Sequence, residues 1–185
     1  MSKIGKEPVT IAEKVEVKLE PNLVIVKGEH GQLEFSYPHY IEVEKEGNQL
    51  KVIRKRDDDR ARAMHGTTRA HLANMIKGVQ DPWIKELEVK GTGYKVNPTG
   101  DGSSVVFEVG FSHPVEVKAP EGIEFKVDNN KLTISGSDKI RVGNLAAKIR
   151  KIRPPDAYQG KGIRYVDEQV KLKPGKMAKV GGAGV

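Results

Sequence analysis

The chain has 185 residues, of which 37% are hydrophobic and 31% charged, and a net charge of +7. That is room for one medium domain or two small ones with an apolar core, which excludes a disordered chain. Cysteine is absent, excluding a disulfide framework and thiolate metal sites.

In chain order, the opening segment Met1-Ser2-Lys3-Ile4-Gly5-Lys6-Glu7-Pro8 holds no apolar run suited to a signal peptide. No later stretch approaches the ~18 apolar residues of a membrane span, so a soluble, cytosolic chain without membrane contact is expected. Apolar residues alternate with polar ones at Val15, Val17 and Leu19, at Leu33 and Phe35, and at Ile41 and Val43. This spacing predicts short strands with one buried face. Glu46-Gly47-Asn48 supplies a residue tolerant of positive φ and predicts a hairpin into the strand Leu50-Lys51-Val52. Met64, Thr68, Leu72, Met75, Ile76 and Val79 recur at helical spacing. Asp57, Asp58 and Asp59 lie at the start of that helix, where carboxylates suit the positive end of its dipole, and Gly78 is the predicted stop.

A domain boundary is expected near Asp81-Pro82, just before Trp83, because the pattern then begins again. Shifting the chain by 82 positions pairs Val24 with Val106, Gly28 with Gly110, Glu34 with Glu116 and Pro38 with Pro120. The same shift pairs Ile41 with Ile123, Glu42 with Glu124, Asn48 with Asn130 and Leu50 with Leu132. Apolar character is kept where identity fails, as in Ile25/Phe107, Leu33/Val115, Val43/Phe125 and Val52/Ile134. The chain is therefore read as a duplicated domain. In the second copy Asp128-Asn129-Asn130 is the hairpin turn into Leu132-Thr133-Ile134. Val142, Leu145, Ala146, Ile149 and Ile152 form the helical stripe, capped by Asp138 and ended by Pro154-Pro155. The expected fold class is α+β: two tandem copies of a small, mostly antiparallel sheet covered by one helix. The copies span residues 1–82 and 83–170, and a basic, Gly-rich tail spans 171–185.

Charge is distributed unevenly over this frame. Residues 1–82 carry 14 Lys/Arg against 13 Asp/Glu, residues 83–138 carry 6 against 9, and residues 139–185 carry 12 against 3. The whole excess lies in the last quarter, whereas a generic surface mixes the signs along its length; this points to a polyanionic partner. The apolar stripe of the second helix turns Arg141, Lys148 and Lys151 to water, and Arg153 follows them. In Asp156-Ala157-Tyr158-Gln159-Gly160-Lys161-Gly162-Ile163-Arg164-Tyr165, glycines flanking a lysine let backbone N–H groups approach a phosphate, with Lys161 and Arg164 supplying charge. Tyr158 and Tyr165 are each either stacking platforms for unpaired bases or core residues. The tail adds Lys171, Lys173, Lys176 and Lys179, read as a basic extension that orders against RNA.

Enzyme signatures are weak. Gly91-Thr92-Gly93-Tyr94-Lys95 lacks the third glycine of a dinucleotide fingerprint, and Gly160-Lys161-Gly162 is too short for a phosphate-binding NTPase loop. The histidines form no His-Glu-x-x-His pair, the helix start accounts for Asp57-Asp58-Asp59, and Ser112-His113 are adjacent residues whose side chains diverge. No catalytic residue, metal, cofactor or small-molecule substrate is expected.

Several motifs together resemble one family. They are Ser2-Lys3-Ile4-Gly5-Lys6 with Pro8, and His65-Gly66-Thr67-Thr68-Arg69 with Asn74-Met75 and Gly78-Val79. Gly91-Thr92-Gly93-Tyr94 and Gly110-Phe111-Ser112-His113-Pro114-Val115 follow, then Pro154-Pro155 with Tyr158 and Gly160 to Tyr165. From Ser2 to about Lys171 the chain is similar to the bacterial-type large-subunit ribosomal protein six family, a universal ribosomal component. It departs at Ala157 and Gln159, where the family often shows Pro and Lys, and its end after Lys179 is less basic than many family tails. The resemblance implies a structural protein of the large subunit, with a C-terminal copy that makes the main contacts with large-subunit rRNA. It places the protein beside neighbouring ribosomal proteins, at the base of the factor-binding region near the sarcin–ricin loop, where translational GTPases dock. It implies that Gly160, Lys161, Gly162, Arg164 and Tyr165 lie at the RNA surface, joined by His65, Thr68 and Arg69 unless that segment serves to fix the first helix. A free RNA-binding regulator or chaperone is the alternative with the same charge logic.

Overall fold

The computed structural model describes residues 3–100 and 102–175. The first copy contains α1 (Lys3–Lys6), β1 (Val9–Thr10), β2 (Glu16–Glu20), β3 (Leu23–Gly28), β4 (Gly31–Ser36), β5 (Ile41–Glu46), β6 (Gln49–Arg54) and α2 (Asp59–Gln80). The second contains β7 (Trp83–Lys90), β8 (Lys95–Thr99), β9 (Ser104–Glu108), β10 (Val115–Lys118), β11 (Ile123–Asp128), β12 (Lys131–Gly136), α3 (Lys139–Ile152) and β13 (Gly162–Tyr165). The fold is α+β with small antiparallel sheets, as the periodicities predict, but the strands of each copy divide between two sheets. They are ordered β2-β3-β4 and β1-β6-β5 in the first copy, β8-β9-β10 and β11-β12-β7-β13 in the second. No described helix is long and apolar enough to cross a membrane.

The alternating strands place one face inside. Val17, Val24, Val26, Ile41, Val43, Leu50 and Val52 join Leu72, Met75, Ile76 and Val79 of α2 in one core, each fully buried branched side chain contributing about 1.5–3 kcal/mol. Strand β3 reads in the sequence as a plain apolar run, Leu23 to Val26, because it is central and buried to some degree on both faces. Glu46 pairs with Gln49 across the two-residue loop Gly47-Asn48, where Gly47 has φ +57. Asn129, 82 residues on, has φ +53 at the same point of the β11–β12 turn, so both predicted hairpins form.

Helix α2 starts where the aspartates predict. Asp58 is its N-cap and accepts a bond from the Ala61 amide at 2.6 Å, while Asp57 pairs with Arg54 at 2.8 Å and Arg62 at 3.1 Å. Gly78 does not stop it; the helix continues to Gln80 and closes with the Asp81 amide on the Lys77 carbonyl at 2.7 Å. Gly78 serves close approach instead. A Cβ there would meet the Ser137 carbonyl oxygen at 2.0 Å and the Trp83 indole nitrogen at 2.8 Å. In the second copy Asp138 caps α3 as expected, its carboxylate accepting from the amides of Ile140 at 2.8 Å and Arg141 at 3.3 Å.

By contacts the chain forms two compact units. Among the described residues, one comprises 3–84 with Pro120–Glu124 and Ile134–Asn144; the other comprises Lys85–Ala119, Phe125–Thr133 and 145–175. Lys148, Lys151, Arg153, Lys161 and Arg164 belong to the second unit, where Leu87, Val89, Phe107, Ala146, Ile149 and Ile163 are buried, whereas Arg69 and Arg141 belong to the first.

Candidate RNA interface

Burial of Ala146 and Ile149 on α3 fixes what the rest of the helix presents, since residues one to two positions away point elsewhere. Lys148, Lys151 and Arg153 are exposed, and among the described residues none of them enters an ion pair. Arg150, on the flank, is different. It forms a two-bond pair with Glu168, its Nε donating to Oε2 at 2.8 Å and its Nη2 to Oε1. The mutual hydrogen bonds hold the Glu168 carboxyl below the usual carboxylate range and raise Arg150 further.

The loop after α3 is built around Asp156. Its carboxylate accepts from the amides of Tyr158 at 3.1 Å and Gln159 at 2.9 Å, which hold it below its ordinary range, Gln159 foremost. Its carbonyl accepts from the Gly160 amide at 2.9 Å, and its own amide donates to the Lys161 carbonyl at 2.9 Å. These bonds revise the role expected of the glycines: the amides of Tyr158, Gln159 and Gly160 already have acceptors inside the loop and do not form an open phosphate cradle. Gly160, at φ +69, makes the turn. Gly162 is buried at φ +146, and a Cβ there would lie 2.6 Å from the Pro154 carbonyl oxygen. The Lys173 amide donates to the Ala157 carbonyl at 2.7 Å, tying the following segment to the loop. The outcome is a braced loop that leaves Tyr158 62% exposed and Lys161 half-exposed. A groove beside it, about 540 Å³, is lined by Tyr94, Arg153, Gln159 and Lys161 among others.

Gly162–Tyr165, to which the sequence pattern assigns no element, is strand β13, paired antiparallel with β7 from Gly162↔Lys90 to Tyr165↔Leu87. With Ile163 its only apolar residue facing in, the strand is too short to show a period of two. Arg164 faces Glu88 across this register and donates to its carboxylate from Nη2 at 2.8 Å and Nε at 3.1 Å. The Tyr165 ring is half-buried, with Lys85 and Arg150 each 5.9 Å from its centroid. Gly162 is thus buried, while Arg164 and Tyr165 are partly exposed and held by partners within the chain.

In the first unit His65 and Thr68 are buried. His65 Nε2 lies 2.8 Å from the Val52 carbonyl oxygen, and its ring lies so near Gly5 that a Cβ there would come within 2.4 Å of Nδ1. Arg69 donates to the Glu7 carboxylate at 2.9 Å and carbonyl at 3.3 Å. Arg69, and the His65 ring packed on Gly5, fix the N-terminal segment to α2. Lys171 and Lys173 are exposed and unpaired among the described residues; Lys176 and Lys179 lie outside the described residues. Sequence reasoning passed over Tyr94, Phe111 and His113 as site residues, although Phe111 stands 42% exposed with Arg153 5.4 Å above its ring. The available signal was an aromatic residue directly after a glycine and followed by Ser-His-Pro, a setting for a turn rather than a strand interior. Chemically, the surface offers fixed cations and flat groups for a polyanion. No described group of three or more His, Asp or Glu is placed to hold a metal.

The profile of the ribosomal protein L6 family matches residues 11–82 and again residues 90–166. The chain is 50% identical over 181 residues to the large ribosomal subunit protein uL6 of Caldanaerobacter subterraneus subsp. tengcongensis, covering 97% of this chain and 99% of the relative. It is 51% identical over 181 residues to that of Thermoanaerobacter sp. strain X514, with the same coverage. To that of Persephonella marina it is 48% identical over 177 residues, 95% of this chain and 98% of the relative.

Proposed function

The chain belongs to the ribosomal protein L6 family, and from that membership we propose that it is a structural constituent of the large ribosomal subunit that binds large-subunit rRNA through residues 83–170 and the basic tail. The family is one of structural proteins, and the chain is not an enzyme. Its place is the cytoplasmic ribosome, and its partners are rRNA and neighbouring large-subunit proteins.

The observation that carries the RNA-binding reading is how the cations are paired. In residues 1–82, seven of the 14 Lys/Arg side chains sit in ion pairs among the described residues: Lys14, Lys18, Lys51, Arg54, Lys55, Arg62 and Arg69. From residue 139 to 175, only Arg141, Arg150 and Arg164 sit in ion pairs among the described residues. Lys148, Lys151, Arg153, Lys161, Lys171 and Lys173 are left to a partner outside the chain. Six cations engaging six phosphates would give affinity a log–log salt slope of about −4 to −5. Charge fixed on a helix and a braced loop reads the shape of RNA more than its sequence. The first copy, close to neutral, faces solvent or protein neighbours. The motif likeness supports a position near the sarcin–ricin loop and the stalk base, close to docked translational GTPases.

Hydroxyl-radical footprinting of the protein within purified large subunits tests this. Protection concentrated on residues 148–173 is the expected pattern; protection lying mainly on residues 1–82 would contradict it.

A further inference from the structure

The segment Gly110-Phe111-Ser112-His113-Pro114 plays no part in the charge argument, yet it is held in a defined shape. After β9 the backbone turns at Gly110 with φ +78, a conformation that side-chain-bearing residues rarely adopt. Tyr94 lies flush on the turn: a Cβ at Gly110 would sit 3.2 Å from its ring and one at Gly91 2.8 Å away. Phe111 is thereby held out in solvent. An exposed phenyl ring alone needs no explanation, but this one has company. The Arg153 guanidinium lies 5.4 Å from its centroid. The His113 ring stacks on it at 6.3 Å with 21° between the planes. All three side chains are exposed, so they form an open stack of flat groups. Arg153 also reaches the groove that carries Lys161.

Resting on the RNA-binding reading above, we infer that this stack receives an unpaired RNA base, laid against Phe111 and Arg153. Every base has a π-face that adds a layer to aromatic and guanidinium planes; a base inside a duplex has none to offer. A phosphate gains nothing from Phe111, and it would be repelled by Glu108, which lines a separate hollow with Phe111 and His113. The exocyclic amino group of a base, by contrast, is a donor that a carboxylate accepts. The lysines of α3 and the loop hold backbone, and the Phe111 stack holds one splayed-out nucleotide.

The test titrates transcribed large-subunit rRNA with full-length wild type, Phe111→Ala and Phe111→Trp over a range of salt. The expected result is a loss of affinity of about 5- to 150-fold for Phe111→Ala, the range for removing one base–aromatic stack, with an unchanged salt slope because no charge is removed. Phe111→Trp restores affinity, and its new indole is quenched by RNA beyond any change at Trp83, measured in the wild type. Wild-type binding with Phe111→Ala unaffected and Phe111→Trp unquenched overturns the base-stacking site and leaves the RNA-binding reading intact. Absence of salt-dependent binding by the wild type overturns both.

Discussion

Replacing Arg164 with alanine is expected to weaken the fold while leaving the salt dependence of RNA binding nearly untouched. Arg164 and Glu88 face each other across β13 and β7, two donor nitrogens share one carboxylate oxygen, and the side chains are only 21% and 24% exposed. Hydrogen bonds to charged groups contribute about 1.5–3 kcal/mol and fully exposed pairs about 0–1, so partial exposure puts the loss at about 1–2 kcal/mol. In a chain of this size that lowers the melting temperature by about 2–8 °C, measured by circular dichroism at pH 7. The bond to Arg164 holds the Glu88 carboxyl below its ordinary range, so in acid the unfolded chain takes up this proton first. The stabilisation is therefore complete above the ordinary carboxylate pKa, about 4.3, and is lost as pH falls through the lowered folded value. The gap in melting temperature between wild type and Arg164→Ala should close accordingly in acid. A variant that melts with the wild type but loses a slope of about 0.7–0.9 in rRNA titrations would place the Arg164 charge on a phosphate instead of on Glu88.

Removing Lys148, Lys151 and Lys161 together as alanines is expected to do the reverse: the salt slope falls by about 2 to 2.7 and melting is unchanged. An unaltered slope would move the contact surface elsewhere. Gly162→Ala, at φ +146 and against the Pro154 carbonyl, should cost about 1–3 kcal/mol and speed amide exchange along β13; unchanged exchange there would refute the packing argument. Gly78→Ala would stabilise an ordinary helix by about 0.5–1 kcal/mol, but here it should destabilise, because its Cβ meets the Ser137 carbonyl at 2.0 Å. The fluorescence of Trp83, the only tryptophan, should shift with it, and a more stable variant with unchanged emission would count against that contact.

Local pattern carried a large part of the fold. The 82-residue shift that aligned Ile41 with Ile123 and Leu50 with Leu132 lands on β5/β11 and β6/β12, with Gly47 and Asn129 at matching turns. Asp58 and Asp138 cap the two long helices because a short carboxylate before an apolar stripe has few other local uses. What stayed hidden depends on partners distant in sequence. Arg164 looked like a free cation because Glu88, 76 residues away, is its neighbour only once β13 pairs with β7. Arg150 likewise needs Glu168. Gly78 read as a helix stop because nothing local reveals the Ser137 carbonyl packed on it. Phe111 was missed for the opposite reason: an apolar residue reads by default as core, the Gly before it and the Ser-His-Pro after it hint only at a turn, and its exposure shows once the Tyr94 ring is seated on Gly110.

Sedimenting a cell lysate and following this chain through the gradient before and after a high-salt wash separates a constituent of the large subunit from a free RNA-binding protein. The chain is expected to travel with the large subunit at one copy each and to be released only at high salt or when the subunit unfolds. A chain that stays near the top of the gradient with mixed small RNAs would contradict this expectation and would show a free RNA-binding protein.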